Sequence, residues 1–317
     1  MRHRVLHSDG STTSELVLGT WGLSSSAYGP VHADALAKTV ERAVELGVTL
    51  VDGAFFYADG QLFSSLRSSL DRFPQLGIMA RVGVVAHGGQ LIRSFACDRI
   101  TANVEAILSA SGRARLDVCM LHAPSIDDLR EGFGVDALRQ LVHRGLVRTW
   151  GVAVTGVPEA HEAIDTDSPA LALPFNAFHQ PIYRSIAARA RGRGVRVFAH
   201  SVLAYGLLAG RWAPGHTFSE DDHRSRRWAP HELAARLDHL AVLRHLVRGS
   251  VHSLRAAALR YALQQDAMTA LIVGPRSPEQ LEELCRDIER PDGTPLPTED
   301  VVAFEAVARA RGLYDAP

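Results

Sequence analysis

Asp52, Tyr57, Arg81 and His122 put a carboxylate, a phenol, a guanidinium and an imidazole at comparable places in successive segments of the chain. Asp52 interrupts the apolar run TLVDGA (49–54), and Tyr57 follows it by five residues. Arg81 lies near the end of GIMARVG (77–83), and His122 ends LDVCMLH (116–122). Each of these groups is expensive to bury without partners, so a chain that draws all four together usually keeps them for function. Taken singly they have plain structural readings. Asp52 could cap a loop, Tyr57 sit at a rim, Arg81 pair with any nearby carboxylate, and His122 be a satisfied histidine before Pro124. Together they are the polar constellation from which acid, base and fixed-charge chemistry is built.

The elements that must position them are short β-branched, apolar runs alternating with longer amphipathic segments from residue 16 to residue 288. The strand-like runs are LVLGTW (16–21), TLVDGA (49–54), GIMARVG (77–83), LDVCMLH (116–122), RTWGVAV (148–154), ALALPFN (170–176), VRVFAHS (195–201) and TALIVGP (269–275). Between them lie helical patterns such as ADALAKTVERAVELG, whose apolar residues recur at three and four and whose Gly47 suits a left-handed cap. Eight such units with right-handed crossovers predict an α/β fold, a (β/α)8 TIM barrel, over a single domain at 1–317. An open doubly wound sheet has the same alternation, but no GxGxxG follows the first strand. RVLHSDGSTTSEL reads as an N-terminal β-hairpin turning at Asp9 and Gly10, placed to plug the barrel's bottom. The active site of such a barrel lies at the C-terminal ends of its strands, where the four polar residues fall. The charged stretch HTFSEDDHRSRRWAPHE (216–232) is expected as a mobile loop over the mouth. Loops 22–33, 84–97 and 212–230 are the segments expected to set substrate specificity.

Composition narrows the partners. With 46% hydrophobic and 22% charged residues the chain has the balance of a globular enzyme. The net charge is −1 and the arginines form no basic stripe, which argues against nucleic acid and for a small molecule. No apolar run approaches signal-peptide or membrane-span length, so a cytoplasmic location and no membrane partner are expected. Cys97, Cys119 and Cys285 are odd in number and far apart, fitting neither a disulfide framework nor a CxxC metal site, and no metal is expected. Lys38 is the only lysine, a bias of GC-rich bacterial genomes.

VDGAFFYADG resembles the aldo-keto reductase segment that carries Asp and Tyr five residues apart, and MLHAPS resembles that family's histidine segment. LVLGTWGL is similar to its first strand and includes Trp21. VFAHSVLAYGLLAGR is similar to its seventh strand and loop, and LRYALQQDAMTALIVGPRSPEQLEE to its last helix, strand and nucleotide-binding turn. The resemblance thus spans nearly the whole chain. It implies an NADPH-dependent oxidoreductase that turns an aldehyde, ketone or keto-sugar into an alcohol. Tyr57 would be the proton donor, His122 would orient the carbonyl, and a cation held by Asp52 would lower the tyrosine's pKa from its free value of about 10. The family's lysine is here Arg81, which keeps the charge and changes the shape.

The resemblance also implies a cofactor site of Trp21, Asn176, His200, Ser201, Leu203, Gly206, Gly274, Arg276, Ser277, Gln280 and Glu283. Several positions depart from the family pattern. Ala153 and Val154 replace the Ser-Asn pair that grips the nicotinamide amide, Asn176 replaces a glutamine, and His200 an aromatic that stacks on the nicotinamide. Ala58 replaces a glycine, and Leu284 an asparagine. Arg276 and Ser277 at the start of the last helix suit an adenosine 2′-phosphate, hence NADP over NAD, unless Ser277 only caps that helix. Losses concentrated around the nicotinamide leave two alternatives. One is a dehydratase, isomerase or cyclase without hydride transfer; the other is a nucleotide-binding homologue without catalysis.

Overall fold

The computed structural model describes residues 1–88, 90–290 and 295–315. The chain opens on an antiparallel hairpin, β1 (His3–Val5) and β2 (Thr12–Ser14), with Gly10 at φ 83° in its turn. Then come β3 (Leu16–Gly19), β4 (Leu50–Ala54) and β5 (Gly77–Val82), a second hairpin of β6 (Val84–His87) and β7 (Gln90–Arg93), and β8 (Leu116–His122). The remaining strands are β9 (Val147–Ala153), β10 (Ala170–Pro174), β11 (Arg196–His200) and β12 (Met268–Val273). Apart from the two hairpins, the strands pair in parallel with their neighbours, and β12 returns to β3 to close a barrel of eight. This is the (β/α)8 TIM barrel expected from the alternation, and all eight expected runs are its strands.

The helices are α1 (Ser25–Tyr28), α2 (Ala35–Glu45), α3 (Leu62–Arg72), α4 (Cys97–Ser111), α5 (Ile126–Glu131) and α6 (Phe133–His143), then α7 (Val157–Asp165), α8 (Pro181–Gly192), α9 (Pro230–Leu243), α10 (Leu254–Leu263), α11 (Pro278–Ile288) and α12 (Thr298–Ala310). Among the described residues no helix is long and apolar enough to cross a membrane. Gly47 follows α2 at φ 81°, the left-handed cap its sequence suggested.

Alternation along the strands divides the core in two. Val17, Leu50, Met79, Val118, Ala172 and Phe198 fill the barrel's interior, while intervening residues such as Leu18, Val51 and Ile78 pack outward against the helices. Leu6, from the turn of the first hairpin, joins the interior cluster and closes the bottom.

The stretch 216–232, expected as a loop over the mouth, is exposed over most of its length. It holds a 3-10 turn at His223–Arg226 and the first residues of α9, and one of its charge pairs is drawn inward: Arg224 pairs with the buried Asp222 at 2.5 Å. The Arg224 guanidinium also lies over the rings of Tyr28 and Phe218, at 4.5 and 4.7 Å from their centroids. Sequence polarity signalled solvent for the whole stretch, and at Arg224 and Asp222 alone the guanidinium and carboxylate neutralise each other inside an aromatic nest.

Candidate active site

The period of two that fills the barrel also builds its upper layer. Asp52 stands two residues beyond the interior Leu50, Arg81 two beyond Met79, His122 two beyond Met120 and His200 two beyond Phe198. Register keeps the strands level enough for these side chains to meet: Gly19 lies opposite Asp52, Ala54 opposite Arg81, and His122 opposite Ala153.

Arg81 donates from Nη2 to Asp52 Oδ2 at 2.9 Å, with both residues buried. Among the described residues Asp52 Oδ1 and Arg81 Nε have no partner, so the pair is joined through one contact and not as a two-pronged fork. Burial pushes the Asp52 carboxyl above the ordinary carboxylate range while Arg81 opposes the rise. The guanidinium keeps its proton, and a neutral Asp52 would leave it alone in the interior, so the two persist as an ion pair. Tyr57, buried below the mouth, has its hydroxyl raised above the usual phenol value by burial; Arg81 pulls it down and Asp52 pushes it further up. The expected lowering by the cation is present but outweighed, because desolvation penalises the phenolate more than one guanidinium repays.

Two imidazoles share this layer. Burial, reinforced by the positive charge of Arg81, lowers both His122 and His200 to about 3, so both are neutral near pH 7. A neutral ring offers one N–H and one acceptor nitrogen. His122 Nδ1 is buried without a partner, and its ring lies 5.4 Å from that of Phe56. His200 Nδ1 is 3.1 Å from Ser201 Oγ.

A cavity of about 390 Å³ opens over this layer. Asp52, Arg81 and His200 line it from the barrel strands, Tyr57 from the loop after β4, Arg276 from the turn before α11, and Gln280 and Glu283 from α11 itself. Trp21, Ser201, Leu203, Gly206 and Gly274 complete the residues that sequence placed there. Its glycines have a reason. A Cβ on Gly22 would come within 2.9 Å of the Gly274 carbonyl, and Gly206 sits at φ 99° against Trp212.

Three expected residues lie elsewhere. His122 is beside Arg81 but outside the cavity wall. Asn176 spends its amide on the chain, accepting from Phe178 N at 3.0 Å and donating to Ser201 O at 3.4 Å. Ser277 caps α11, its hydroxyl accepting from Gln280 N at 3.3 Å. Ala153 and Val154 are buried and do not line the cavity.

Arg276 donates to the carbonyls of Gly29 and Pro30 at 2.9 and 2.8 Å, while its Nε is buried without a partner. Glu283 is shared by Arg255, at 2.6 Å, and Arg211. Sequence reading missed Tyr28, Tyr205, Arg211, Trp212, Arg224 and Arg255, all of which line the cavity. Arg211 and Trp212 lie between elements, Tyr205 and Arg224 on short 3-10 turns, and Tyr28 and Arg255 at helix ends, with no periodicity to read; only the crowding of arginine and aromatic residues hinted at a wall.

Comparison with known proteins agrees with this architecture. The family model described as the aldo/keto reductase family matches residues 15–308. The chain is 25% identical over 304 residues to the aldo-keto reductase YhdN of Bacillus subtilis, covering 90% of this chain and 88% of that one. It is 24% identical to the pyridoxal 4-dehydrogenase of Microbacterium luteolum, covering 88% of this chain and 91% of the other. The structure of the glycerol dehydrogenase AKR11B4 from Gluconobacter oxydans superposes with a TM-score of 0.83 at 24% identity, over 99% of this chain and 97% of that one.

Proposed function

The chain belongs to the aldo/keto reductase family, and on that premise we propose that it reduces an aldehyde, ketone or keto-sugar to an alcohol with NADPH, Tyr57 serving as general acid. The observation that carries this reading is the buried Arg81–Asp52 pair, 2.9 Å across, in the wall of the cavity that Tyr57 also lines. Asp52 anchors the guanidinium. Arg81 then stands ready to balance the negative charge left on Tyr57 when its hydroxyl gives a proton to the carbonyl oxygen. His122, neutral at working pH and beside Arg81 one layer behind the lining, would turn an N–H toward that same oxygen as charge gathers on it. A neutral ring there avoids adding a second buried cation beside Arg81.

The cavity fits a dinucleotide on two observations. Gly22 and Gly274 bring two lining segments together more closely than a Cβ at Gly22 would allow, and among the described residues Arg276 holds a buried, unpartnered Nε on the wall. NADPH would supply the hydride when bound. Arg276 would hold its 2′-phosphate, because no carboxylate among the described residues neutralises that guanidinium, whereas Arg211 and Arg255 already share Glu283. Trp21, His200, Ser201, Leu203, Gly206, Gly274 and Gln280 would form the remaining walls, with His200 offering a flat ring to the nicotinamide.

The test is Tyr57→Phe, which keeps the ring and removes the proton. Carbonyl reduction should fall by about a hundredfold to ten-thousandfold while NADPH still quenches tryptophan fluorescence. Unchanged turnover would refute the role of Tyr57. One observation favours a second reading, of a cofactor-binding protein without hydride transfer: the Asn176 amide is engaged by its own chain and Val154 offers no hydrogen bond. NADPH binding without its oxidation across a broad carbonyl panel would select that reading.

A further inference from the structure

A second, smaller cavity of about 140 Å³ lies beside the first and shares Ser201 and Tyr205 with it. Its polar lining is Asn176, His179, Arg227, Arg236 and His239, and its lining includes no aspartate or glutamate. Phe178, Tyr205 and Trp228 form its apolar walls. Two guanidinium groups here border one cavity with no carboxylate among its described lining residues to neutralise them. Among the described residues neither the exposed Arg227 guanidinium nor that of Arg236 has a hydrogen-bond or ion-pair partner, and Arg236 Nε is buried. Their remaining neighbours are rings: Arg227 lies 3.7 Å from the Tyr205 centroid, and Arg236 lies 6.0 Å from that of Trp228. Glu232, whose field reaches Arg236, is exposed, and it spends its carboxylate on the backbone N–H of Ala229 at 2.8 Å.

We propose that this cavity is a binding site for a phosphate dianion, either free phosphate or a small phosphate monoester, held between Arg236 and Arg227. A phosphate carries about −1.5 to −2 charge near neutral pH and matches two uncompensated guanidinium groups, each of which presents a planar fork of donors. His179 and His239 are kept neutral by burial and can each add one N–H without a further charge. The volume admits a phosphate with a short carbon stem and excludes a dinucleotide, which separates this site from the larger cavity. Tyr205 gives the two a shared wall: its ring lies under Arg227, and its backbone sits at φ 59°, a conformation that a non-glycine residue adopts only when its surroundings hold it.

The experiment is calorimetric titration of the full chain with inorganic phosphate and, separately, with glycerol phosphate. Wild-type protein should bind with about one site per chain. Arg236→Gln and Arg227→Gln should each raise the dissociation constant at least about tenfold, equivalent to about 1.4 kcal/mol. Arg276→Gln, in the larger cavity, should leave it unchanged. Tighter binding of glycerol phosphate would identify the monoester as the natural occupant, and tighter binding of inorganic phosphate the free ion. No binding by the wild type would overturn the proposal, as would loss of binding in Arg276→Gln with both other variants unaffected. Circular dichroism of each variant separates a lost site from a lost fold.

Discussion

Replacing Asp52 by alanine leaves Arg81 as a buried cation with no counter-charge. Side-chain exposures of 8% and 3% put the pair well inside the protein, and removing one partner of such a pair costs about 3–5 kcal/mol. The lower end applies here, because Arg81 lines the cavity and water can reach it once Asp52 is gone. Unfolding entropy of about 2.1 cal/mol/K per residue, over 317 residues, amounts to about 0.7 kcal/mol/K, so the thermal midpoint should drop by about 4–5 °C. Scanning calorimetry reads this directly, with reversibility checked by a second scan. The companion variant Asp52→Leu with Arg81→Met removes both charges and should recover most of the lost stability, because apolar side chains fill the same volume without desolvation penalty. A drop below about 1 °C for Asp52→Ala would place the pair among solvent-screened contacts. A double variant as unstable as the single one would show that the loss came from packing. Either result would refute the account of the pair.

Other outcomes follow from the same geometry. Among the described residues Arg276 is the cavity arginine without a carboxylate partner, and Arg276→Gln should weaken NADPH about tenfold to a hundredfold while leaving NADH nearly unchanged, as fluorescence titration with both would show. Acid should destabilise the fold well before the carboxylates titrate. Unfolded imidazoles take protons near pH 6.5, whereas His122 and His200 resist until about 3, so the unfolded chain holds more protons between these limits and stability falls with falling pH. The slope should reach up to about 1.4 kcal/mol per pH unit for each histidine, and His200→Asn should flatten it in urea melts recorded between about pH 7 and 4.

The barrel was legible because two periods suffice to specify it. Runs such as LDVCMLH bury alternate residues inside and outside, and ADALAKTVERAVELG turns one face inward, so composition along each segment already decides its partner layer. The same alternation carried Asp52, Arg81 and His200 to the mouth. What the sequence concealed depends on contacts between distant loops. Tyr28, Trp212 and Arg224 meet only because the chain folds back over the cavity, and no local spacing encodes that meeting. Asn176 and Ser277 were expected at the cofactor, but short polar side chains beside a turn or a helix start are drawn to nearby backbone groups, and theirs are. The pull of Arg81 on Tyr57 was legible in direction, whereas its defeat by burial required the depth of the hydroxyl.

The most direct measurement follows deuterium from NADPH labelled at the nicotinamide C4 into the product of a reactive aldehyde, for the wild-type chain and for Tyr57→Phe. The account predicts a deuterated alcohol from the wild type and at least a hundredfold slower formation from the variant, with cofactor still bound. Product without deuterium, or equal rates from both proteins, would contradict it.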